Sequence, residues 1–245
     1  MDSGLYAAAA ALVSRTQELD TIANNLANAS TVGYRAQQNV FGTVLAEAAD
    51  SPANNLNHAV NQYGILSGTT LDLTQGALQK TGNDLDLAVQ GPGYFVVQTA
   101  GGPMYTRNGA FQVSSRGELV TSTGDQVLGD QGPVKVLPGS ITVSPDGTIS
   151  SNGAITGKIK LVEFPQGTRL TSVGNVYYSA PANTQTAATK SDIRQGMLES
   201  SNVNPITGMV ELVNAQRSAE MMQRALSMFN SEIDKTAAQD LPRVS

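Results

Sequence analysis

Leu5, Leu12, Leu19 and Leu26 recur every seven residues, with Ala8 or Ala9 and Ile22 or Ala23 on the intermediate turns. This is the a/d spacing of a helix that lays one apolar seam against a partner. Ser3 or Asp2 can cap the start, and Gly33 stands just beyond an end near Asn28 to Ser30, so the pattern predicts a helix over 3–29. The other end repeats the design. Leu212, Ala219, Leu226 and Ile233 are again seven apart, and Ala215, Met222 and Phe229 take the second seam position. Asn204-Pro205 offers a cap followed by proline at the first helical position, where the missing N–H costs nothing. Pro242 follows shortly after the end of a helix predicted over 205–238.

Between the two ends the period changes to short apolar runs at 85–90, 94–99, 104–107, 110–114, 118–122, 141–144, 158–164 and 176–179, which predict strands. Asn108-Gly109, Arg116-Gly117, Asp146-Gly147 and Asn152-Gly153 supply residues that tolerate positive φ, as tight hairpins require. Residues 35–70 fit neither pattern. They are rich in Asn, Gln, Ser, Thr and Gly, with Phe41, Val44, Leu45, Tyr63 and Ile65 as scattered apolar anchors, and are expected to be extended and ordered mainly by neighbouring chains. The fold class expected is α+β: terminal helices (1–34 and 205–245) pairing as a coiled-coil-like core, an extended connector (35–70), a central antiparallel β-rich domain (71–190) and a return segment (191–204).

Composition narrows the chemistry. Charged residues are 14% of the chain and the net charge is −5, with a pI near 4.8, which leaves no basic surface for nucleic acid. There is no Cys, no Trp and one His, His58, so thiolate chemistry is absent and most metal and triad arrangements are removed. No cofactor and no metal site is expected. Asp84 and Asp86 flank Leu85 as a catalytic carboxylate pair might, but read better as solvated or bonded to turn amides. Gly91-Pro92-Gly93 lacks the third glycine and the lysine of a phosphate loop and reads as a turn. The start carries no basic n-region, and charged Arg15, Glu18 and Asp20 interrupt the alanine run before it reaches membrane length, so neither a cleaved secretory signal nor a membrane span is expected.

A single leucine seam between two helices buries too little apolar surface to offset the ordering of their backbones. Ala7, Ala10, Ala11, Ala23, Ala27 and Ala29 spread small apolar surface beyond the seam and allow further helices to approach closely. The natural partners are copies of the chain itself. The ends are therefore expected to be mobile in an isolated monomer and to become helical on assembly. Met209, Met221, Met222 and Met228 suit interfaces between non-identical neighbours.

Three sets of words resemble one family. Ile22-Ala23-Asn24-Asn25-Leu26-Ala27-Asn28, with Thr31-Val32-Gly33-Tyr34-Arg35 and Phe41, resembles the amino-terminal signature of bacterial flagellar rod and hook proteins. Glu199-Ser200-Ser201-Asn202-Val203-Asn204, with Met209-Val210-Glu211-Leu212 and Gln216-Arg217, is similar to the family's second signature. Gly82 to Val89, Gly93-Tyr94-Phe95 and Tyr105-Thr106-Arg107-Asn108-Gly109 look like its central β-domain motif. The modest length and the opening Met1-Asp2-Ser3-Gly4-Leu5-Tyr6 look closest to the proximal-rod branch, with the distal-rod branch as near rival.

The resemblance implies a structural subunit of the basal-body rod, not an enzyme. It implies uncleaved export through the flagellar type III apparatus and self-association in the periplasm into a hollow helical shaft. That shaft would transmit torque, pass exported subunits, join other rod subunits above and below, and lie within the basal-body rings. The assembly interface is expected at Leu5, Leu12, Leu19, Ile22, Asn24, Asn25, Leu26, Asn28, Leu212, Ala219, Met222, Leu226, Phe229 and Ile233. Asn24, Asn25 and Asn28 read as amides that bond neighbouring helices or cap carbonyls, Thr31 and Gly33 as turn residues, and Asn202 and Asn204 as caps. The competing reading is a secreted β-domain that binds carbohydrate or protein, its helices serving as an oligomerising stalk.

Overall fold

The computed structural model describes residues 2–42 and 65–240, with side chains placed over 12–40, 68–228 and at 231. These residues divide into two units, the first drawn from Met1–Leu26, Gln37–Thr69 and Asn204–Ser245 and the second from Ala27–Ala36 and Thr70–Val203. His58 and the anchors Val44, Leu45 and Tyr63 lie outside the described residues, as do Pro242 and the 43–64 part of the expected connector.

The first unit holds two helices, α1 (Asp2–Ala27) and α2 (Pro205–Asp240), and a two-stranded pairing of β1 (Gln37–Gly42) with β2 (Ile65–Leu71). Helix α2 begins where the Asn204-Pro205 signal placed it. Asn204 Oδ1 accepts from the amides of Ile206 at 3.0 Å and Thr207 at 3.3 Å, which satisfies donors that the first turn otherwise leaves free. Leu12, Leu19, Ile22 and Leu26 on α1 are half-buried, as are Leu212, Met222 and Leu226 on α2, while Ala215 and Ala219 are buried. Near the helix roots, a Cβ on Gly208 would stand 3.8 Å from Leu26 Cδ1. The α+β class holds, with two helices and a β-rich middle.

The second unit is built from short strands in antiparallel pairs. Its main sheet centres on β5 (Tyr94–Thr99), between β6 (Gly102–Thr106) and β7 (Gln126–Gly129). Strand β5 is buried on both faces. Phe95 and Val97 point into one apolar cluster with Leu87, Val89, Phe111, Leu119, Ile149 and Ile159, while Tyr94 and Val96 point into another with Tyr105, Val162 and Tyr178. Alternation with period two delivers one β-branched or aromatic set to each side. Beside this sheet, β8 (Asp192–Gln195) pairs with β4 (Leu87–Gln90), and β9 (Met197–Glu199) pairs with β3 (Leu78–Lys80).

Two local expectations need correction. The run 158–164 is two strands, Ala154–Lys158 and Leu161–Glu163, because the chain changes sheets at the buried Ile159. Asn108-Gly109 does not turn a tight hairpin. Gly109 is required because a Cβ there would stand 1.6 Å from the Leu87 carbonyl oxygen, and its own carbonyl accepts from the Leu87 amide. Asp84 and Asp86 form no carboxylate pair, since Asp84 is exposed while Asp86 is buried and accepts from Asn83 Nδ2 at 3.1 Å. Asn152-Gly153 (φ 50° and 82°) does make the tight turn expected of it.

Candidate functional site

In a chain with few charges, three of them are buried together. Glu199 is fully buried at the end of β9, with Arg35 and Arg107 on either side of its carboxylate. Arg35 Nη2 lies 2.6 Å from Oε1, a charge contact and not an aligned hydrogen bond, and Arg107 Nη1 donates to Oε2 at 3.2 Å. The Gly76 amide donates to Oε1 at 3.0 Å. Two guanidinium groups against one carboxylate leave a surplus positive charge, and backbone carbonyls take it up. Arg35 Nη1 donates to Thr74 O, and Arg107 donates to Val89 O at 3.2 Å and Gly91 O at 2.6 Å. Arg107 also stands 4.6 Å over the Tyr94 ring, whose negative face favours it. Burial draws the Arg107 guanidinium below its usual range and the neighbouring Arg35 acts in the same direction, while Glu199 opposes both.

The second tie is Asn202. Its Oδ1 accepts from the Ala36 amide at 2.7 Å, and its Nδ2 donates to Asp72 O at 3.0 Å and Thr74 O at 3.1 Å. Asn202 is therefore a cross-link and not the helix cap expected of it; the capping role belongs to Asn204 alone. Gly33 is more than turn chemistry. Its φ of 71° demands glycine, and a Cβ would come within 2.3 Å of the Asn108 amide nitrogen. Its own amide donates to Glu199 O at 2.8 Å, and its carbonyl accepts from Tyr178 at 3.2 Å.

The structure thus brings together one residue from each of the three sequence signatures: Arg35, Arg107 and Glu199. Sequence reasoning quoted all three and assigned none a role. The available signal was the placement of a charge inside each signature of a chain with so few charges.

The expected assembly residues are placed as follows. Asn25 closes a two-way clamp onto Gln37, its Nδ2 donating to Gln37 O and its Oδ1 accepting from Gln37 N, each at 2.8 Å. Asn28 is buried, and its Oδ1 accepts from Thr31 Oγ1 at 3.2 Å; Asn24 is exposed. Leu12, Leu19, Ile22, Leu26, Leu212, Ala219, Met222 and Leu226 line the half-covered seams already described. Leu5, Phe229 and Ile233 are on the helices, but their side chains lie outside the described residues.

Burial raises the hydroxyl pKa of Tyr34, Tyr105, Tyr177 and Tyr178 above the ordinary tyrosine value, most strongly for Tyr178. A phenol whose folded pKa is raised contributes stability fully present below its unfolded pKa, near 10. That contribution is lost as pH rises through the folded pKa. The second unit is expected to keep its stability up to about pH 10 and to unfold cooperatively above it, with tyrosinate absorbance and loss of β-structure rising together. Tyrosinate appearing gradually while the sheets persist would contradict this.

Among the described residues no group of three or more His, Cys, Asp or Glu is arranged to hold a metal ion, and no helix is long and apolar enough to cross a membrane. Three family profiles match the chain. "Flagella basal body rod protein" covers residues 5–35, "Flagellar hook protein FlgE/F/G D1 domain" covers 88–156, and "Flagellar basal body rod FlgEFG protein C-terminal" covers 194–239. The flagellar basal-body rod protein FlgF of Caulobacter vibrioides is 34% identical over the whole of both chains. FlgF of Escherichia coli K12 is 35% identical over 93% of this chain and 94% of its own, and the flagellar basal-body rod protein FlgG of Borreliella burgdorferi is 33% identical over 92% and 94%. The chain belongs to the flagellar basal-body rod and hook protein family, a family of structural proteins and not of enzymes. The reading as a secreted binding module on a helical stalk is not favoured by these relatives.

Proposed function

We propose that the chain polymerises, through its two terminal helices, into a hollow helical rod segment that carries torque along the flagellar axis and passes exported subunits. The observation that carries this is a second apolar face on α2. Ile206, Met209, Val210 and Val213 recur at i, i+3, i+4 and i+7 and are all exposed, Ile206 by 76%. The Leu212, Ala215, Ala219, Met222 and Leu226 seam runs along the other side of the same helix. A helix apolar on two faces has a partner for each. Met221 and Met228, also exposed, continue the outer face with adaptable side chains.

In this reading the inner seams of α1 and α2 pair as a coiled-coil-like core, and the outer stripe meets the next copy. The assembly interface comprises those seam residues and Asn24, Asn25 and Asn28, together with this stripe. Contacts of this kind between unlike faces do not close a ring and so grow a filament. The helices gain their full order on assembly, residues 35–70 and 71–190 form the outer layer, and 191–204 leads back to the core. The subunit takes a proximal-rod position, with other rod subunits above and below and the basal-body rings around it. It reaches the periplasm through the type III export apparatus without a cleaved signal.

The test is a pair of stripe substitutions, Val210→Lys and Val213→Glu. Both sites are exposed, so the monomer's stability is expected to change by no more than about 0.5 kcal/mol, while filaments and rod-bearing basal bodies disappear from electron micrographs. Deleting residues 1–28 or 206–245 is expected to abolish assembly as well and leave the β-module folded. Intact rods from these variants would end the proposal.

A further inference from the structure

The chain passes between its two units at four places, after Leu26, Ala36, Thr69 and Val203. Inside the second unit these passages lead into three segments, 27–36, 70–77 and 199–203, and each is bonded to the other two. Gly33 N donates to Glu199 O and Ala36 N to Asn202 Oδ1, joining the first to the third. Asp72 N donates to Ala36 O at 2.8 Å, and Arg35 Nη1 donates to Thr74 O, joining the first to the second. Asn202 Nδ2 to Asp72 O and Thr74 O, Gly76 N to Glu199 Oε1, and Ser200 N to Ala77 O at 2.9 Å join the second to the third. Glu199 and Asn202 are the two side chains that take part in both sets of ties made by the third segment.

We propose that Glu199 and Asn202 are positioning residues for force transmission. They clamp the entering segments into one body, so that a load arriving on either helix root is shared among all three and does not peel one strand from the sheet. The idea rests on the reading of the chain as a torque-carrying subunit and names where the force enters the outer module. The physical basis is that bonds loaded together must rupture together, whereas the edge of a short strand fails one hydrogen bond at a time. Burial of the Arg35, Glu199 and Arg107 charges keeps their attraction from being screened by salt, and the linked bonds polarise one another.

The test uses the full chain, whose lack of cysteine allows handles to be placed freely. Ser30→Cys with Thr207→Cys directs a pull through the two roots. Arg116→Cys with Gln166→Cys directs it through the sheet without loading the clamp. Asn202→Ala removes the side-chain bonds to Ala36, Asp72 and Thr74 and is expected to raise the rupture rate along the first direction by about tenfold or more, with the second direction unchanged. Glu199→Gln is expected to act in the same direction-dependent way and more strongly; if it does not fold, Asn202→Ala decides alone. A merely structural residue would weaken both directions equally. Equal weakening, or no change through the roots, overturns the proposal and leaves the rod reading intact, whereas rods surviving the stripe substitutions would sink the rod reading alone.

Discussion

Glu199→Ala is expected to destabilise the second unit by about 3–5 kcal/mol, because it leaves two guanidinium groups buried without their counter-charge. That is a large share of the ~5–15 kcal/mol that holds a typical domain. Arg35 and Arg107 are each almost completely enclosed, so neither can swing into water without opening the packing of Tyr34, Tyr94 and Tyr178 around the junction. The loss is expected to be nearly the same in about 0.1 M and 1 M salt, since screening acts on exposed charges far more than on buried ones. Replacing all three together, as Arg35→Met, Arg107→Met and Glu199→Leu, is expected to recover part of the loss. Recovery stops short of complete because the Gly91 carbonyl then loses its arginine donor, while those of Thr74 and Val89 keep only Asn202 Nδ2 and Gln75 Nε2 as side-chain donors. Urea unfolding followed by tyrosine fluorescence reads each of these. A Glu199→Ala loss below about 1 kcal/mol would mean that the carboxylate is not what neutralises the cluster.

The second large effect is expected from Gly33→Ala. Two separate costs meet there. The left-handed backbone penalises any Cβ by about 1–2 kcal/mol, and the new Cβ would overlap the Arg107 carbonyl carbon at 2.5 Å and the Asn108 nitrogen at 2.3 Å. Both neighbours are backbone, so no rotamer change can make room, and overpacking of this kind adds about 1–3 kcal/mol. Gly153→Ala separates the two terms: its φ is 82°, with nothing within 4 Å of the added methyl. Gly33→Ala is therefore expected to cost more than Gly153→Ala by roughly the overpacking term, measured as the difference in unfolding midpoints. Equal losses would show that turn geometry alone explains Gly33.

Much of the architecture was legible in one dimension. The leucine spacing placed both helices to within a few residues, and Asn204-Pro205 marked the start of α2, because helix periodicity and capping act over four residues or fewer. Strand β5 and the Asn152-Gly153 turn were equally plain, for the same reason of local chemistry. Strands Asp192–Gln195 and Met197–Glu199 were not, since each carries little apolar pattern of its own and exists by pairing with strands about a hundred residues earlier. Gly109 misled because its close approach to Leu87 has the same one-letter appearance as a hairpin glycine.

What the sequence determined by itself is the local and periodic part: two seamed terminal helices, a β-rich middle between them, a surface with no basic face or thiol chemistry, and signature words that mark a rod-family subunit. What only the tertiary structure decided is which of those words touch. Glu199 meets Arg107 across 92 residues of chain and Asn202 meets Ala36 across 166, and a charge or an amide carries no mark of a partner so far away. That partnership is fixed when the sheets close and exclude water, because only then does leaving a charge unpaired become more costly than bringing three distant segments together.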